Sequence, residues 1–454
     1  MVEKAGYICS GQSKANGAIV HAGHNEKPGS LKARLCVEGN RQFPALCKSL
    51  GIFFKRTGYI ILAFNEEEIK TIKRLRDQSH KNRVDIEIIS REKLAGLEPN
   101  ASKEAVGALW VKDAGYTDVH RLVIAAAEHA AVNGVDFILN TEAEDLLWDK
   151  TDKEKVSGVS AAGRKYFSRL VVNCAGSDAD RIINCAGDPD FKITARKGEY
   201  YIIDKAAGDL VNGPVYPVPS PHGKGCAIIP TAHGNTIFGG NSIEITDRED
   251  TSTTRTDLED VYRQSIRMVP AIEGKEIIAG FSGIRSAVEG KDYIIGPMPG
   301  IKGLINIAGI DSPGLTSSPA IAEYAKDMIG EKYLDLIPDN PKNRHYSIKP
   351  LFRDLDDREK DKWIKADPGY GRIVCRCENI TEGDVVSAIH GPIPAVTADA
   401  VKFKTWVGAG RCQGSFDLPR LISILSRELG IDPAEVVKST PGSNFVTGHS
   451  RRPG

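Results

Sequence analysis

Hydrophobic residues recur at helical spacing in several segments of the chain. In DVHRLVIAAAEHAAVNG (118–134) they fall on one face, with Asp118 at the N-cap position and Gly134 after the last periodic residue. TEGDVVSAIHG (381–391) and DLPRLISILSRELG (417–430) show the same start and stop signals near the end of the chain. The pattern predicts a helix in each segment, with Asp417 as the N-cap of the last one.

Other segments carry the runs of apolar residues that are typical of strands. SRLVVNCAG (168–176) predicts a short strand and a turn, and LINIAGIDSPGLTSSPAIAEYAKDMI (304–329) a buried strand, a glycine-rich turn and a helix. RKGEYYIID, GCAIIPT and NTIFGGN, which fall within residues 195–243, predict an antiparallel sheet. The fold class is therefore α/β, with an antiparallel β portion inserted in it.

The first thirty residues are small and polar, and they match neither a helix nor a signal peptide. Ser13, Asn16 and Gly17 are loop formers, and His21 and His24 lie among them. A loop so rich in possible ligand contacts raises the expectation that it belongs to an active site.

Composition narrows the class of protein. The chain has 454 residues, of which 60 are basic and 60 acidic, so its net charge is zero and nucleic-acid binding is not expected. Its longest apolar runs, such as LVIAAA (122–127), are too short to span a bilayer. Nine cysteines in a chain without a secretion signal indicate the reducing cytoplasm, so we expect a cytoplasmic protein.

Several motifs occur in an order that resembles a known family: SKANGAIVHAG, PGSLKARL, LVVNCAG, RKGEYYIID, GIRSA and AGIDSPGLTSSPAIAEY. Together they resemble FAD-dependent oxidoreductases of the D-amino-acid-oxidase superfamily, in the branch of glycerol-3-phosphate and L-2-hydroxyglutarate dehydrogenases. VCRCENITEGDVV and GAGRCQGSFD resemble the bacterioferritin-associated-ferredoxin-type [2Fe–2S] domain that is often fused to this branch.

The resemblance implies a Rossmann-like FAD-binding domain interleaved with an antiparallel substrate domain, followed by a small helical ferredoxin-like domain. We expect the oxidoreductase region at 1–335, with substrate-domain segments near 51–117 and 191–289. A linker or wrap-around segment at 336–370, the [2Fe–2S]-type domain at 371–430 and a tail at 431–454 complete the organisation, and the final HSRRPG is expected to be disordered.

One element of that family is absent from this sequence. The family opens on a strand, a G-x-G-x-x-G turn and a helix that hold the cofactor pyrophosphate, and no G-x-G-x-x-G occurs anywhere in the chain. Val2-Glu3-Lys4 resembles the end of the second strand, with Glu3 as the ribose-binding carboxylate. Either the assigned start lies too late or the protein is truncated, and in both cases we expect an open sheet edge and weak FAD retention.

The resemblance also assigns cofactor contacts. Ser13, Lys14, Ala15 and Asn16 are expected beside the isoalloxazine, and Cys174, Ala175 and Gly176 along the adenosine and pyrophosphate. The segment that would wrap the pyrimidine edge of the flavin holds Gly309, Ile310, Asp311, Pro313, Gly314, Leu315 and Thr316.

Substrate and proton chemistry point to a few charged side chains. Arg285, in the apolar strand FSGIRSA, is the first choice for the substrate anion because guanidinium binds phosphate or carboxylate bidentately. Lys197 is a further candidate, and Lys32 or Arg34 are weaker ones. His21 and His233 are the candidates for the base that takes the hydroxyl proton.

The ferredoxin-like segment has three of the four cysteines that its family uses. Cys375, Cys377 and Cys412 match the C-x-C and the third position, whereas Asp417 occupies the fourth. Because Asp417 also fits as a helix N-cap, we expect no stable cluster. A labile [2Fe–2S] cluster is the second alternative, and zinc held with Asp417 or His390 the third.

These assignments predict a dehydrogenase that oxidises a small anionic secondary alcohol, sn-glycerol 3-phosphate in the first place and L-2-hydroxyglutarate as the alternative. A non-catalytic paralogue that cannot hold FAD is the alternative of another class. The family resemblance implies quinone, partner subunits or oxygen as electron acceptors, with membrane association through partner subunits.

Overall fold

The computed structural model describes residues 1–184, 191–220, 223–288, 290, 292–336 and 344–448. Its helices are α1 Leu31–Leu50, α2 Glu66–Lys81, α3 Arg91–Leu97, α4 Val119–Val132, α5 Ala179–Asn184, α6 Arg255–Met268, α7 Gly314–Lys332, α8 Asp357–Ala366, α9 Glu382–Ile389, α10 Ala398–Thr405 and α11 Leu418–Leu429. Its strands are β1 Ile19–Val20, β2 Phe54–Lys55, β3 Tyr59–Ala63, β4 Ile86–Ile89, β5 Gly107–Val111, β6 Gly115–Thr117, β7 Ala143–Trp148, β8 Val156–Ala161, β9 Arg164–Phe167, β10 Val171–Asn173, β11 Ile193–Ile203, β12 Val215–Pro217, β13 Ala227–Pro230, β14 Thr236–Gly239, β15 Ile243–Ile245, β16 Ile277–Val288, β17 Ile294–Pro297, β18 Leu304–Ala308, β19 Ile373–Cys375 and β20 Ile380–Thr381.

The largest sheet has the order β15-β11-β14-β13-β12-β3-β5-β4, and β16 pairs with β11 in addition. Its neighbours are antiparallel except for the parallel pair β12–β3. The predicted antiparallel sheet is thereby confirmed, because RKGEYYIID, GCAIIPT and NTIFGGN form β11, β13 and β14. β11 and β16 pair over most of their length and form the long floor on which the candidate site lies.

The parallel part of the fold is short and divided. β10 pairs with β18 in parallel, and β17 closes the other side of β18. Val2 forms a separate parallel bridge with Ile138. Among the described residues β10 has a strand partner on one side only, and Val172 on it is 40% exposed, so the expected open edge is confirmed.

Local sequence signals set the helix ends. Asp118 accepts the N–H of Arg121 at the start of α4, and Thr381 forms a capping box with Asp384 at the start of α9. α11 ends at Gly430, whose φ of 65° is left-handed. The three predicted helices are therefore confirmed.

The C-terminal region is packed into the rest of the molecule. One core contains Tyr7 of the opening loop, Phe43 of α1, Leu122 of α4, Val385 of α9 and Leu421 of α11. This shared burial fixes the C-terminal region against the loop that holds the first site residues.

Two segments outside the predicted domains pack against the rest of the molecule. The segment at 336–370 contains α8, and the burial of Ile348 and Leu351 in the shared core agrees with the wrap-around alternative. The predicted tail packs back on the domain as far as the described residues run, because Val437 pairs with Asn444 and Lys438 bonds Asp399. The prediction of disorder for 449–454 lies outside the described residues. No helix in the described ranges is long and apolar enough to cross a membrane.

Candidate active site

A cavity of 2280 Å³ lies between the opening loop, the end of β10, the face of β11 and β16, and the start of α7. Pockets for drug-sized ligands measure about 300–1,000 Å³, so this one has room for a dinucleotide beside a small substrate. Most of the predicted cofactor residues line it: Glu3, Ser13, Lys14, Ala15, Asn16, Cys174, Ala175, Gly176, Ile310, Asp311, Pro313, Gly314 and Leu315.

Two predicted cofactor residues shape the cavity without lining it. Gly309 turns the chain with a φ of 67°, and a Cβ there would come within 2.9 Å of Val288. Thr316 is fully buried, and its Oγ1 accepts the backbone N–H of His21 at 2.8 Å. Thr316 therefore positions His21 and lies behind the cavity wall, outside its lining residues.

One end of the cavity has the features of a nucleoside site. Glu3 follows the parallel bridge of Val2 with Ile138, and its Oε1 accepts the N–H of Ala5 at 2.9 Å. Cys174 at the end of β10 is exposed, and Gly176 turns with a φ of 58°. Strand ends of this kind in α/β sheets are where nucleotides bind.

The other end has the features of a flavin site. α7 begins there at Gly314 without a side-chain cap, so its N-terminal N–H groups and the helix dipole favour negative charge. The short helix Gln12–Ala15 lies on β16, where a Cβ at Gly283 would come within 2.6 Å of the Ala15 Cβ. An uncapped helix end and a close-packed loop facing one large cavity fit FAD.

Two arginines face the cavity from neighbouring strands. Arg196 of β11 and Arg285 of β16 are directly opposite each other in register and both line the cavity. Arg285 donates to the carbonyls of Asn241 and Gly240, at 2.8 and 3.1 Å, and to the Tyr200 hydroxyl at 3.3 Å. Within the described ranges neither arginine forms an ion pair, and because Glu244 of β15 lies opposite Arg196 in register, Arg285 is the better placed of the two to meet an anion.

Gly198 explains how Arg285 reaches this position. A Cβ on Gly198 would come within 2.6 Å of an Arg285 Nη atom, so the guanidinium lies over bare backbone. The motif RKGEY therefore supplies both Arg196 and the glycine beneath Arg285. The sequence indicated the importance of this segment, but it did not single out Arg196.

His21 is buried at the cavity wall. Its Nε2 lies 3.4 Å from the Ser312 Oγ, and the Asn40 side chain donates to its carbonyl oxygen at 2.8 Å. Burial, with a smaller effect from Lys224, lowers the pKa of His21 well below that of free imidazole. The ring is therefore neutral at physiological pH, which leaves one ring nitrogen unprotonated.

Sequence reasoning missed Lys224. Its Nζ lies 3.1 Å from the Glu26 Oε1 and 3.3 Å from the Ser312 Oγ, at the cavity wall beside His21. No motif surrounds it, because its place depends on the packing of its loop against the opening segment. Lys32, one of the weaker anion candidates, forms an ion pair of 2.6 Å with Asp311.

Lys197 is wrongly predicted as a substrate ligand. It follows Arg196 by one residue, so its side chain lies on the opposite face of the sheet. There it forms ion pairs with Asp250 at 2.9 Å and Glu199 at 3.8 Å, outside the cavity lining.

His233 is wrongly predicted as a base, because it too is held by structural partners outside the cavity. Its Nε2 lies 2.9 Å from Asp118, its Nδ1 lies 2.6 Å from Arg353, and its ring packs on Trp406. It does not line the cavity, and it joins the sheet to the C-terminal region instead.

A second candidate site lies in the C-terminal region. Burial, and then a hydrogen bond with Asp417, raise the pKa of Cys375 to about 12, while burial and the neighbouring Cys412 raise the pKa of Cys377. Asp417 stands at the N-cap position of α11 as predicted, but its side chain makes no capping bond. The predicted capping role is therefore wrong, since the carboxylate turns toward the thiols.

Comparison with known proteins agrees with these two sites. Residues 1–328 match the FAD dependent oxidoreductase family, and residues 373–425 match the BFD-like [2Fe-2S] binding domain. The chain is 39% identical over 454 residues to a glycerol 3-phosphate dehydrogenase of Caloramator mitchellensis, covering 99% of this chain and 93% of that protein. It is 29% identical over 225 residues to an L-2-hydroxyglutarate dehydrogenase of Escherichia coli, covering 49% of this chain and 51% of that one.

A solved structure extends the likeness to three dimensions. The L-alpha-glycerophosphate oxidase of Mycoplasma pneumoniae, reduced with dithionite and with FAD bound, superposes with a TM-score of 0.70 at 26% identity, over 77% of this chain and 91% of that one. The cavity, the uncapped helix end and these matches together show that the chain belongs to the FAD-dependent oxidoreductase family and carries a BFD-like [2Fe–2S] domain at its C-terminal end.

Proposed function

We propose that the protein oxidises sn-glycerol 3-phosphate to dihydroxyacetone phosphate. The observation that carries the proposal is the pair of arginines, Arg196 and Arg285, that face the cavity without a carboxylate partner among the described residues. A guanidinium fork fits the oxygens of a phosphate, and the 39% identical relative is a glycerol 3-phosphate dehydrogenase.

Each side chain of the site has a separate role in the reaction. Arg285 binds the phosphate and thereby fixes the secondary alcohol in the cavity. The neutral His21 accepts the hydroxyl proton at Nε2 as the carbon loses its hydride. FAD, when bound, supplies the hydride acceptor. Thr316 and Asn40 hold the backbone of His21 and so fix the position of its ring.

L-2-Hydroxyglutarate is the second candidate substrate, because the relative from Escherichia coli acts on that class of hydroxy acid by its name. That match covers about half of each chain, whereas the glycerol 3-phosphate relative is matched over nearly the whole length. A carboxylate would also bind Arg285, so the residue type alone does not decide between the two.

We further propose a partner subunit or a quinone as the electron acceptor, in the cytoplasm or at a membrane through that partner. All described cysteines are free thiols, which supports a reducing compartment.

The test is a steady-state assay of the FAD-loaded chain with a dye acceptor and each substrate in turn. We expect kcat/KM for sn-glycerol 3-phosphate to exceed that for L-2-hydroxyglutarate by at least tenfold. The reverse ratio would assign the hydroxy acid instead, and turnover of neither by FAD-loaded protein would reject both assignments.

A further inference from the structure

The C-terminal region brings four possible ligands together from two short segments. Cys375 ends β19 and Cys377 lies in the turn after it, while Cys412 and Asp417 lie in the turn that precedes α11. Asp417 lies beside Cys375, and Cys377 lies beside Cys412. The four side chains therefore form two contacting pairs.

Asp417 has no structural role that explains its burial. It is only 3% exposed, and its Oδ2 is buried without a hydrogen-bond partner. No lysine, arginine or histidine of the described residues pairs with it. A buried carboxylate that neither caps a helix nor meets a cation is costly, and ligation of a metal removes that cost.

The other aspartates and threonines at helix starts in this region behave differently. Asp356, Thr381 and Thr397 each accept the backbone N–H expected of an N-cap. The same position in α11 is occupied by Asp417 in a helical backbone conformation, with φ −89° and ψ −31°, and its side chain does not cap. The contrast shows that Asp417 is placed for the thiols and not for the helix.

The backbone around the thiols is shaped for sulfur ligands. The N–H groups of Gly408 and Glu378 point to Cys375, and a backbone hydrogen bond from Cys412 reaches Cys377. A Cβ on Gly410 would come within 2.3 Å of the Cys377 Cβ, so the two turns pack closely. Hydrogen bonds to the sulfurs are a standard means of stabilising iron–sulfur ligands.

The pairing favours a two-iron group over a single ion. Within the described ranges no three His, Cys, Asp or Glu side chains are placed to hold one metal ion, which argues against zinc. Each iron of a [2Fe–2S] cluster takes two protein ligands, and two pairs are what this site offers.

We propose that Asp417 is the fourth ligand of a [2Fe–2S] cluster, whose other ligands are Cys375, Cys377 and Cys412. The cluster then has three thiolates and one carboxylate, a harder donor than sulfur. This assignment concerns the C-terminal region alone and does not depend on the substrate of the flavin site.

The test is anaerobic reconstitution of the full chain with ferrous iron and sulfide, followed by iron and sulfide analysis and visible and electron paramagnetic resonance spectra. We expect two irons and two sulfides per wild-type chain. Asp417→Ala should lose iron to a chelator at least tenfold faster, and Asp417→Asn, which keeps the shape, should behave likewise. Asp417→Cys should hold the cluster with altered spectra.

Asp356→Ala is the matched control, because Asp356 is a true helix cap in the same region. It should retain the cluster as the wild type does, and circular dichroism checks that each variant is folded. Identical spectra and iron retention in wild type, Asp417→Ala and Asp417→Asn would overturn the proposal. So would a wild type that takes up only a single metal ion, or no cluster while Asp417→Cys takes one.

Discussion

The flavin cavity and the C-terminal thiol site both contain charged side chains without an ion-pair partner, but the charges have opposite signs. In the cavity Arg196 and Arg285 form no ion pair among the described residues. In the C-terminal site the Asp417 carboxylate, which lies beside three cysteines, forms no ion pair among the described residues, and its Oδ2 is buried without a hydrogen-bond partner. The first arrangement is suited to an anionic substrate and the second to a metal cluster.

Two charged candidates that have ion-pair partners lie outside the cavity lining. Lys197 lies next to Arg196 in sequence but pairs with Asp250 and Glu199 on the other face of the sheet. His233 lies between Asp118 and Arg353 and ties the sheet to the C-terminal region. Among Arg285, Lys197 and His233, the lack of an ion-pair partner distinguishes the candidate ligand from the structural residues better than residue type does.

The largest effect on activity is expected for His21, which is proposed as the base. His21→Ala should lower kcat by about 10²–10⁴-fold, since it removes the group that accepts the hydroxyl proton. Because burial lowers the pKa of His21, its neutral form persists as the pH falls, and wild-type kcat should stay flat between about pH 8 and pH 6. A kcat profile that titrates near the pKa of free imidazole would contradict this assignment.

The control for His21→Ala is His80→Ala, because His80 is exposed on α2 away from the cavity. It should leave kcat unchanged. Equal losses in the two variants would show that histidine substitution acts through something other than the site.

The next largest effect on activity is expected for Arg285, which is proposed to bind the substrate anion. Arg285→Ala should weaken the transition-state interaction by about 2–5 kcal/mol, which is roughly 30-fold to several-thousand-fold in kcat/KM, with FAD content unchanged. Arg263→Ala is the matched control, since its guanidinium is exposed on α6. Wild-type kinetics in Arg285→Ala would remove Arg285 from the site.

The smallest effect on activity is expected for Lys197, the ion-paired neighbour of Arg196. Lys197→Met should leave kcat/KM as it is, but lower the free energy of unfolding by about 1–3 kcal/mol, because buried Glu199 loses a partner. Urea denaturation measures the second quantity. A loss of kcat/KM equal to that of Arg285→Ala would break the distinction between paired and unpaired charge.

Sequence reasoning succeeded where the determinants are local. α4 with its Asp118 cap and the strand, turn and helix that end in α7 follow from short-range patterns, and the structure forms them as expected. These features depend on residues within one or two turns of each other, which a sequence displays directly.

The failures depend on distant parts of the chain. Arg196 and Lys197 are neighbours, and only the way the sheet packs decides which of them faces the cavity. Arg353, which holds His233, comes 120 residues later. For Asp417 the sequence gives the N-cap position but not the direction of the carboxylate, which the cysteines across the turn determine.

The most direct test of the account is anaerobic reduction of the bound flavin by two alcohols, sn-glycerol 3-phosphate and glycerol, in wild type and Arg285→Ala. If Arg285 holds the phosphate, the substitution should slow reduction by sn-glycerol 3-phosphate at least 30-fold, on the scale of about 2 kcal/mol or more, and leave the slow reaction of glycerol unchanged. Equal slowing of both alcohols would show that Arg285 does not meet the phosphate and would contradict the account.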